Sequence, residues 1–458
     1  MRMRGWGKIF LLTAALLALP GASGCKRAST RRSVQAGAVL PPAVRRLSPL
    51  PVRALSPKLE AVRAQVMQET AEARGLEWRG AVGMTELSGW EYGTRTKELA
   101  EALGGDDLKA LGKLAMAGGI LPEGTDLATL AVSFTAASAG ATYSPLDKHV
   151  LLVQPEQTRT TKSKPADVSD NKSLLTHEFV HALQDQHFDL LKLLLVRPYN
   201  FDRTEAVFAL VEGDAMNVQR RRESGEAWAR RTLDDIARQE DERFGEYRRG
   251  LGAFFPPLLT ETFIFRYRDG ARFVETMRRT RPAVSADDIF RRPPASSEQV
   301  LHPEKYLAGE TAREMRLNED ALASKGWEMR AATPLGEIGV RGLLMAGLGR
   351  AEATRAAAGW GGDRAAVFER QNGTPLFVWQ TAWDRREDAQ EFFRAYNALR
   401  RRDTMESNNT HAADGISQTV WRDDKGLLTL VRLKGDEVLI LRAAEADLPL
   451  ALEAANGR

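Results

Sequence analysis

A single cysteine, Cys25, excludes any intramolecular disulfide framework. Apolar runs of membrane-spanning length are missing as well. Ile9–Leu19 offers 11 residues, against the ~20 that a spanning helix needs, so a polytopic membrane protein is excluded. Acidic residues are absent from the first 56 positions, which carry ten basic ones between Arg2 and Arg53. The chain's formal charge of +4 therefore becomes −6 for the body from Pro57 onward. The basic pI is a property of the N-terminus, and no nucleic-acid footprint marks the body. No internal repeat is visible, which excludes a solenoid or propeller. What remains is 458 residues, 43% hydrophobic and 28% charged, an ordinary balance for two or three compact units.

Met1–Lys8 is a short basic stretch, and the apolar run behind it has the pattern of a secretory signal. Ala22-Ser23-Gly24-Cys25 then resembles the lipobox of bacterial lipoproteins, with Ala22 where leucine is commonest. That resemblance implies signal removal over 1–24, lipidation of Cys25 and anchoring in a bacterial cell envelope. Ordinary signal cleavage with a free Cys25 is the alternative. Lys26 follows the cysteine in place of an inner-membrane-retaining aspartate, which leans toward the outer membrane. Residues 26–56, rich in Arg, Ser, Ala and Pro, cannot bury enough surface to order themselves and read as a basic tether.

In the body, Ser56-Pro57 predicts a helix start and Gly75 its end. Residues 79–87 read as a strand, 94–103 and 106–117 as two helices, and 131–142 as a β-permissive run. His149–Val153 (HVLLV) reads as a short buried strand. Two long helices are expected, from Ser173 to Val196 and over Thr204–Arg222, with helical pattern continuing to about residue 281. Beyond about 330 the pattern becomes mixed, with helices near 336–348, 351–358 and 385–400. Strands are expected at 365–370, 375–383, 416–422, 427–433 and 436–442.

The chemistry concentrates in His177-Glu178-Phe179-Val180-His181, an H-E-x-x-H motif inside a helical stretch. Residues i and i+4 share a helical face, so both imidazoles can reach one zinc ion. Glu178 lies about 100° around, beside the metal, where a general base belongs. With six histidines in the chain, a chance match is on the order of 0.5%. A third ligand is needed, and two residues compete. His187 completes H-E-x-x-H-x-x-Q-x-x-H, one residue from the metzincin pattern, with Gln184 where that family has glycine. In a continuous helix His187 would lie about 240° around from His181, away from the metal.

The other is Glu212 in Ala209-Leu210-Val211-Glu212-Gly213-Asp214-Ala215. Here the chain resembles the gluzincins, the thermolysin-like zinc metallopeptidases, which join the motif helix to a glutamate on a second helix. The resemblance implies one zinc per chain on His177, His181 and Glu212, with Glu178 as base and Asp214 supporting a ligand histidine. HALQDQHFD and SEQVLHPEKY (297–306) also resemble a group of uncharacterised bacterial and archaeal surface proteins. In gluzincins an edge strand before the zinc helix pairs with extended substrate, and His149–Val153 holds that place in chain order. Tyr267, His302 and Tyr306 are candidate oxyanion donors.

The expectation is an α+β protein: a mainly helical, zincin-like catalytic domain over 57–315 with a small upstream sheet, then an α+β module over 316–458. It would be a membrane-anchored zinc metallopeptidase acting on peptides or proteins. The alternatives are a metzincin-type enzyme using His187, and a cell-surface binding or scaffold lipoprotein with a structural zinc. The Arg220–Arg222 and Arg400–Arg402 runs read as solvated helix faces, and Trp360-Gly361-Gly362 as a packed turn.

Overall fold

The computed structural model describes residues 47–138, 140–154, 172–195, 198–252, 254–371, 373–402, 406–411 and 415–456. The expected signal stretch, Cys25 and the expected tether as far as residue 46 lie outside the described residues. The described chain is mixed α+β, and none of its helices is long and apolar enough to cross a membrane.

The first half is built on α1 (Pro57–Arg74), β1 (Gly83–Ser88), α2 (Gly89–Ala117), α3 (Leu127–Ser138), β2 (Ala141–Ser144) and β3 (His149–Gln154). Ser56 caps α1 through the Leu59 amide, and Gly75, at φ 74°, ends it in the left-handed conformation. α2 is one helix through Gly104-Gly105 rather than two. Each glycine costs about 1 kcal/mol in a helix interior, and burial of Leu99, Leu108 and Leu114 offsets it. The run from Ala131 is helical as far as Ser138, the second half of α3, and only its end, Ala141-Thr142, is β-structure. Asp126 accepts from the Ala128 and Thr129 amides at 3.1 Å, a helix start that composition did not reveal.

The three strands form a sheet in the order β1-β3-β2, with β3 parallel to β1 and antiparallel to β2. Of the two readings open to His149–Val153, a core strand and a substrate-pairing edge strand, the sheet order fits the first. That strand is central, and the edges are β1 and β2. Its continuous apolar run follows from pairing on both sides.

Two helices cross beneath this sheet: α4 (Lys172–Phe188), extended by α5 (Leu190–Leu194), and α6 (Phe201–Ser224). Asp189, at φ 54°, separates α4 from α5. Leu174 through Asp185 are buried on every side of α4, so its polar side chains face protein and need partners there. The surrounding layer holds α7 (Glu226–Ala229), α8 (Leu233–Leu251), α9 (Pro257–Ile264), a π-turn over Phe265–Asp269, α10 (Gly270–Thr280), α11 (Ala286–Arg291), α12 (Ser297–Leu301) and α13 (Pro303–Ala308). One core joins α1, the small sheet, α4, α6, α10 and α12 through Val66, Val150, Phe179, Phe208 and Phe273.

After α14 (Glu319–Ala323) come β4 (Glu328–Thr333), α15 (Gly336–Leu344), α16 (Arg350–Ala357), β5 (Trp360–Glu369), β6 (Leu376–Trp383), α17 (Arg386–Arg400), β7 (Glu406–His411), β8 (Ile416–Arg422), β9 (Leu428–Lys434), β10 (Glu437–Ala443) and α18 (Leu448–Asn456). The strands form an antiparallel sheet, β4-β5-β6-β10-β9-β8-β7. Alternation decides the layers: Phe377, Trp379 and Trp383 pack under α16 and α17, whereas Leu376 and Val378 face α14 and α18. Trp360 is a buried strand residue, not part of a turn. The core over this sheet also takes Leu114, Ile120 and Leu127 from the first half, and Ile338 of α15 joins the first core.

Candidate metal centre

His177, Glu178, His181 and Glu212 are each fully buried, at 0% exposure. One ligand atom from each of His177, His181 and Glu212 lies within 4.8 Å of the others. His177 Nε2 is 3.0 Å from Glu212 Oε2. His181 Nε2 lies 3.3 Å from the same oxygen but without hydrogen-bond geometry, so it has no partner. The rings meet edge to face at 84°, and both Nε2 atoms lie against the same Glu212 oxygen.

Two glutamines orient the histidines. Gln184 Nε2 donates to Val211 O at 3.0 Å and to Asp214 Oδ2 at 2.9 Å, leaving its Oε1 for His181 Nδ1 at 2.9 Å. Because a carboxylate only accepts, the amide orientation is fixed, and His181 must carry its proton on Nδ1. Gln219 does the same for His177, with Nε2 on Ser173 Oγ and Glu223, and Oε1 3.2 Å from Nδ1. In the neutral ring each Nε2 then carries the lone pair, the form that binds a metal. Asp214 therefore acts through Gln184 and not directly on a histidine. It is itself held by Arg74 Nε at 2.7 Å from the end of α1. Sequence reasoning noticed Gln184 only as a departure from glycine, and missed Gln219. A Gln one turn beyond a motif histidine is the signal that would have found the first.

Glu178 Oε2 accepts the Tyr143 amide at 2.6 Å, while Oε1 is buried without a partner. Burial, helped by Glu212 and opposed by His181 and the Tyr143 amide, raises its pKa to about 7. Burial also works on Glu212, but the two histidines prevail and hold it well below the usual carboxylate range. Tyr143 donates its hydroxyl to Asp185 at 2.8 Å, so the β2 edge is pinned to α4 at both ends of one residue.

α6, which carries Glu212, also meets α10 at backbone distance. A Cβ on Gly213 would overlap the Gly270 carbonyl, and one on Gly270 would overlap Ala209 O. The π-turn just before Gly270 delivers Tyr267, stacked on His177 at 6.1 Å with an interplanar angle of 24°. Its hydroxyl is buried without a partner. Arg266 beside it forms two 2.6 Å hydrogen bonds to Glu205 of α6, which fixes the turn.

The other candidates are elsewhere. His302 Nε2 meets Glu337 at 3.0 Å, and Tyr306 donates to Arg292 O at 2.9 Å. His187, still within α4, bonds Glu77 O at 2.8 Å and faces away from the cluster. Four buried polar atoms without partners, Glu178 Oε1, His181 Nε2, Glu212 Oε1 and Tyr267 Oη, thus surround one place. Unpaired polar atoms this deep are costly unless an ion or a water satisfies them. The donor set, two imidazole nitrogens and a carboxylate, fits a divalent metal ion of the zinc type.

A family model described as a domain of unknown function (DUF8575) matches residues 326–452, the span from β4 into α18, and does not reach this cluster. Neither the comparison with curated proteins nor that with solved structures yields a match.

Proposed function

We propose that this chain is a zinc-dependent peptidase with a zincin-like catalytic half, held at a bacterial cell envelope through lipidated Cys25. The observation that carries the reading is the convergence of His177, His181 and Glu212 beside a buried glutamate with one unpaired oxygen. Zinc, when bound, supplies a Lewis acid for a peptide carbonyl and lowers the pKa of a water. Glu178, with its pKa raised to about 7, accepts a proton near neutrality and returns it to the leaving amine. The Tyr143 amide holds the other carboxylate oxygen and so aims the basic one. Tyr267, whose hydroxyl has no other partner, is the donor available to a developing oxyanion. Gln184 and Gln219 accept from the two Nδ1 atoms and so leave each Nε2 to face the metal position.

Zinc per chain, measured on the purified full chain, tests the ligand set. One zinc is expected in wild type and in His187→Ala, with loss in Glu212→Ala. Loss in His187→Ala instead would move the reading toward metzincins. Hydrolysis of a peptide library should then vanish in a Glu178→Gln variant that keeps its metal, and equal rates would sink the mechanism. One observation favours a second reading: the ligands and Glu178 are wholly enclosed, as in a structural site. A cell-surface binding lipoprotein with structural zinc would retain the metal and cleave nothing.

A further inference from the structure

Away from the metal-ligand cluster, and sharing no residue with it, a cleft of about 230 Å³ opens between α8, the π-turn, α10, α15 and α16. Arg268, Arg272, Arg341 and Arg350 line it, together with the carboxylates Glu240, Asp241, Asp269 and Glu337. Two of those carboxylates are engaged by other groups. Glu240 takes Arg220 Nε of α6 at 3.2 Å, and Glu337 holds His302 Nε2 at 3.0 Å. Asp241 and Asp269 are left to face four guanidinium groups.

They do not satisfy them. Arg268 grips Asp269 with Nε at 3.1 Å and Nη2 at 2.7 Å, and reaches Asp241 with Nη1 at 3.1 Å. Arg341 meets Asp269 only at 3.3 Å, and Arg350 meets Asp241 only at 3.4 Å. The Nε groups of Arg341 and Arg350 are buried without a hydrogen-bond acceptor, the nearest carboxylate to the first being Glu261, an ion pair at 3.9 Å. Arg272 has no hydrogen-bond or ion-pair partner among the described residues. Burial first, then the positive charges of Arg268 and Arg248, lower the pKa of Arg350 against the opposing pull of Asp241 and Glu261.

We propose that this cleft binds a small dianionic oxyanion of the phosphate class. Guanidinium forks match the oxygens of such anions two at a time, and the donors left for them here are the Nε groups of Arg341 and Arg350 and the exposed Arg272. The volume falls below the roughly 300–1,000 Å³ of drug-sized ligand sites, so the ligand is a free ion or a small monoester. Its bound oxygens would join the π-turn, α10, α15 and α16 in one network. Such a ligand stabilises the native state by mass action.

Calorimetric titration of the full chain with inorganic phosphate tests this at pH about 8, where the ion is doubly charged, and at fixed ionic strength. Arg272→Gln/Arg350→Gln removes two partly exposed donors without opening the core. Saturable binding by wild type and at least tenfold weaker binding by this double variant are expected. Methyl phosphate serves as a second probe; tighter binding of either probe supports the site and says which form it prefers. No saturable heat with wild type would overturn the proposal. So would an equal loss in Arg316→Gln/Arg330→Gln, which lowers the charge elsewhere on the surface.

Discussion

At the scale of single residues, the histidine tautomers depend on groups that never touch the metal position. Arg74, Asp214 and Gln184 form a line that ends on His181 Nδ1. Replacing Gln184 with alanine removes the acceptor that keeps the proton there, and frees Asp214 from one donor. Loss of such a partner typically weakens metal binding by 10–100-fold. Competition with a coloured chelator should show a drop of that size for Gln184→Ala and Gln219→Ala. Thermal unfolding of the metal-free variants checks that the fold is kept. Unchanged affinity in both would mean that the histidines are oriented by packing alone. Gln186, two residues on and half-buried, accepts from the Arg79 amide instead, so Gln186→Ala should leave affinity as in wild type.

At the scale of elements, what could be read from the sequence followed from local chemistry. α1 was bracketed by Ser56, Pro57 and Gly75, and the i, i+4 spacing of His177 and His181 placed both on one face. The order β1-β3-β2 was not legible, because an apolar run such as HVLLV fits a central strand and an edge strand equally. β4 and β7 were missed, and Glu406–His411 is polar throughout, with no alternation to find. The π-turn that brings Tyr267 to His177 leaves no periodic trace either. Gly213 was legible only as part of a motif; its physical role is the helix crossing. Gly213→Ala should destabilise by about 1–3 kcal/mol or more, since a rigid backbone carbonyl occupies the new methyl's place. In Gly245→Ala of α8 the new Cβ meets only the tip of Arg249, at 3.7 Å. Better helix propensity should stabilise that variant by about 0.5–1 kcal/mol. Urea denaturation of the pair measures the contrast, and equal midpoints would refute the account of the crossing.

At the scale of the whole molecule, the two halves meet over buried carboxylates. Asp202, in the first turn of α6, accepts the Ser297 amide of α12 at 2.9 Å, and its carboxylate fills the space beside Gly336 of α15. Burial first, then Asp363 and Glu298, raise its pKa to about 8. Glu298 stands at about 7 and Asp363 at about 6, again chiefly through burial. Each is raised above its unfolded value of about 4, so between pH 4 and the folded pKa the native state holds a proton that the unfolded chain has lost. Stability is therefore fully present below about pH 4 as far as these groups are concerned, and declines as pH rises through 6, 7 and 8. The slope is at most about 1.4 kcal/mol per pH unit for each group. Glu212 and Asp269, held low by their cationic neighbours, have the opposite sign, but they titrate in the acid range and leave this window untouched. Asp202→Asn keeps an acceptor for the Ser297 amide and has no proton to lose. Urea midpoints measured from pH 6 to 9 should fall for the wild-type chain and fall less steeply for the variant, the two diverging most above pH 8. Parallel curves would mean that Asp202 is already ionised across the range, and that its partners at the junction hold it charged.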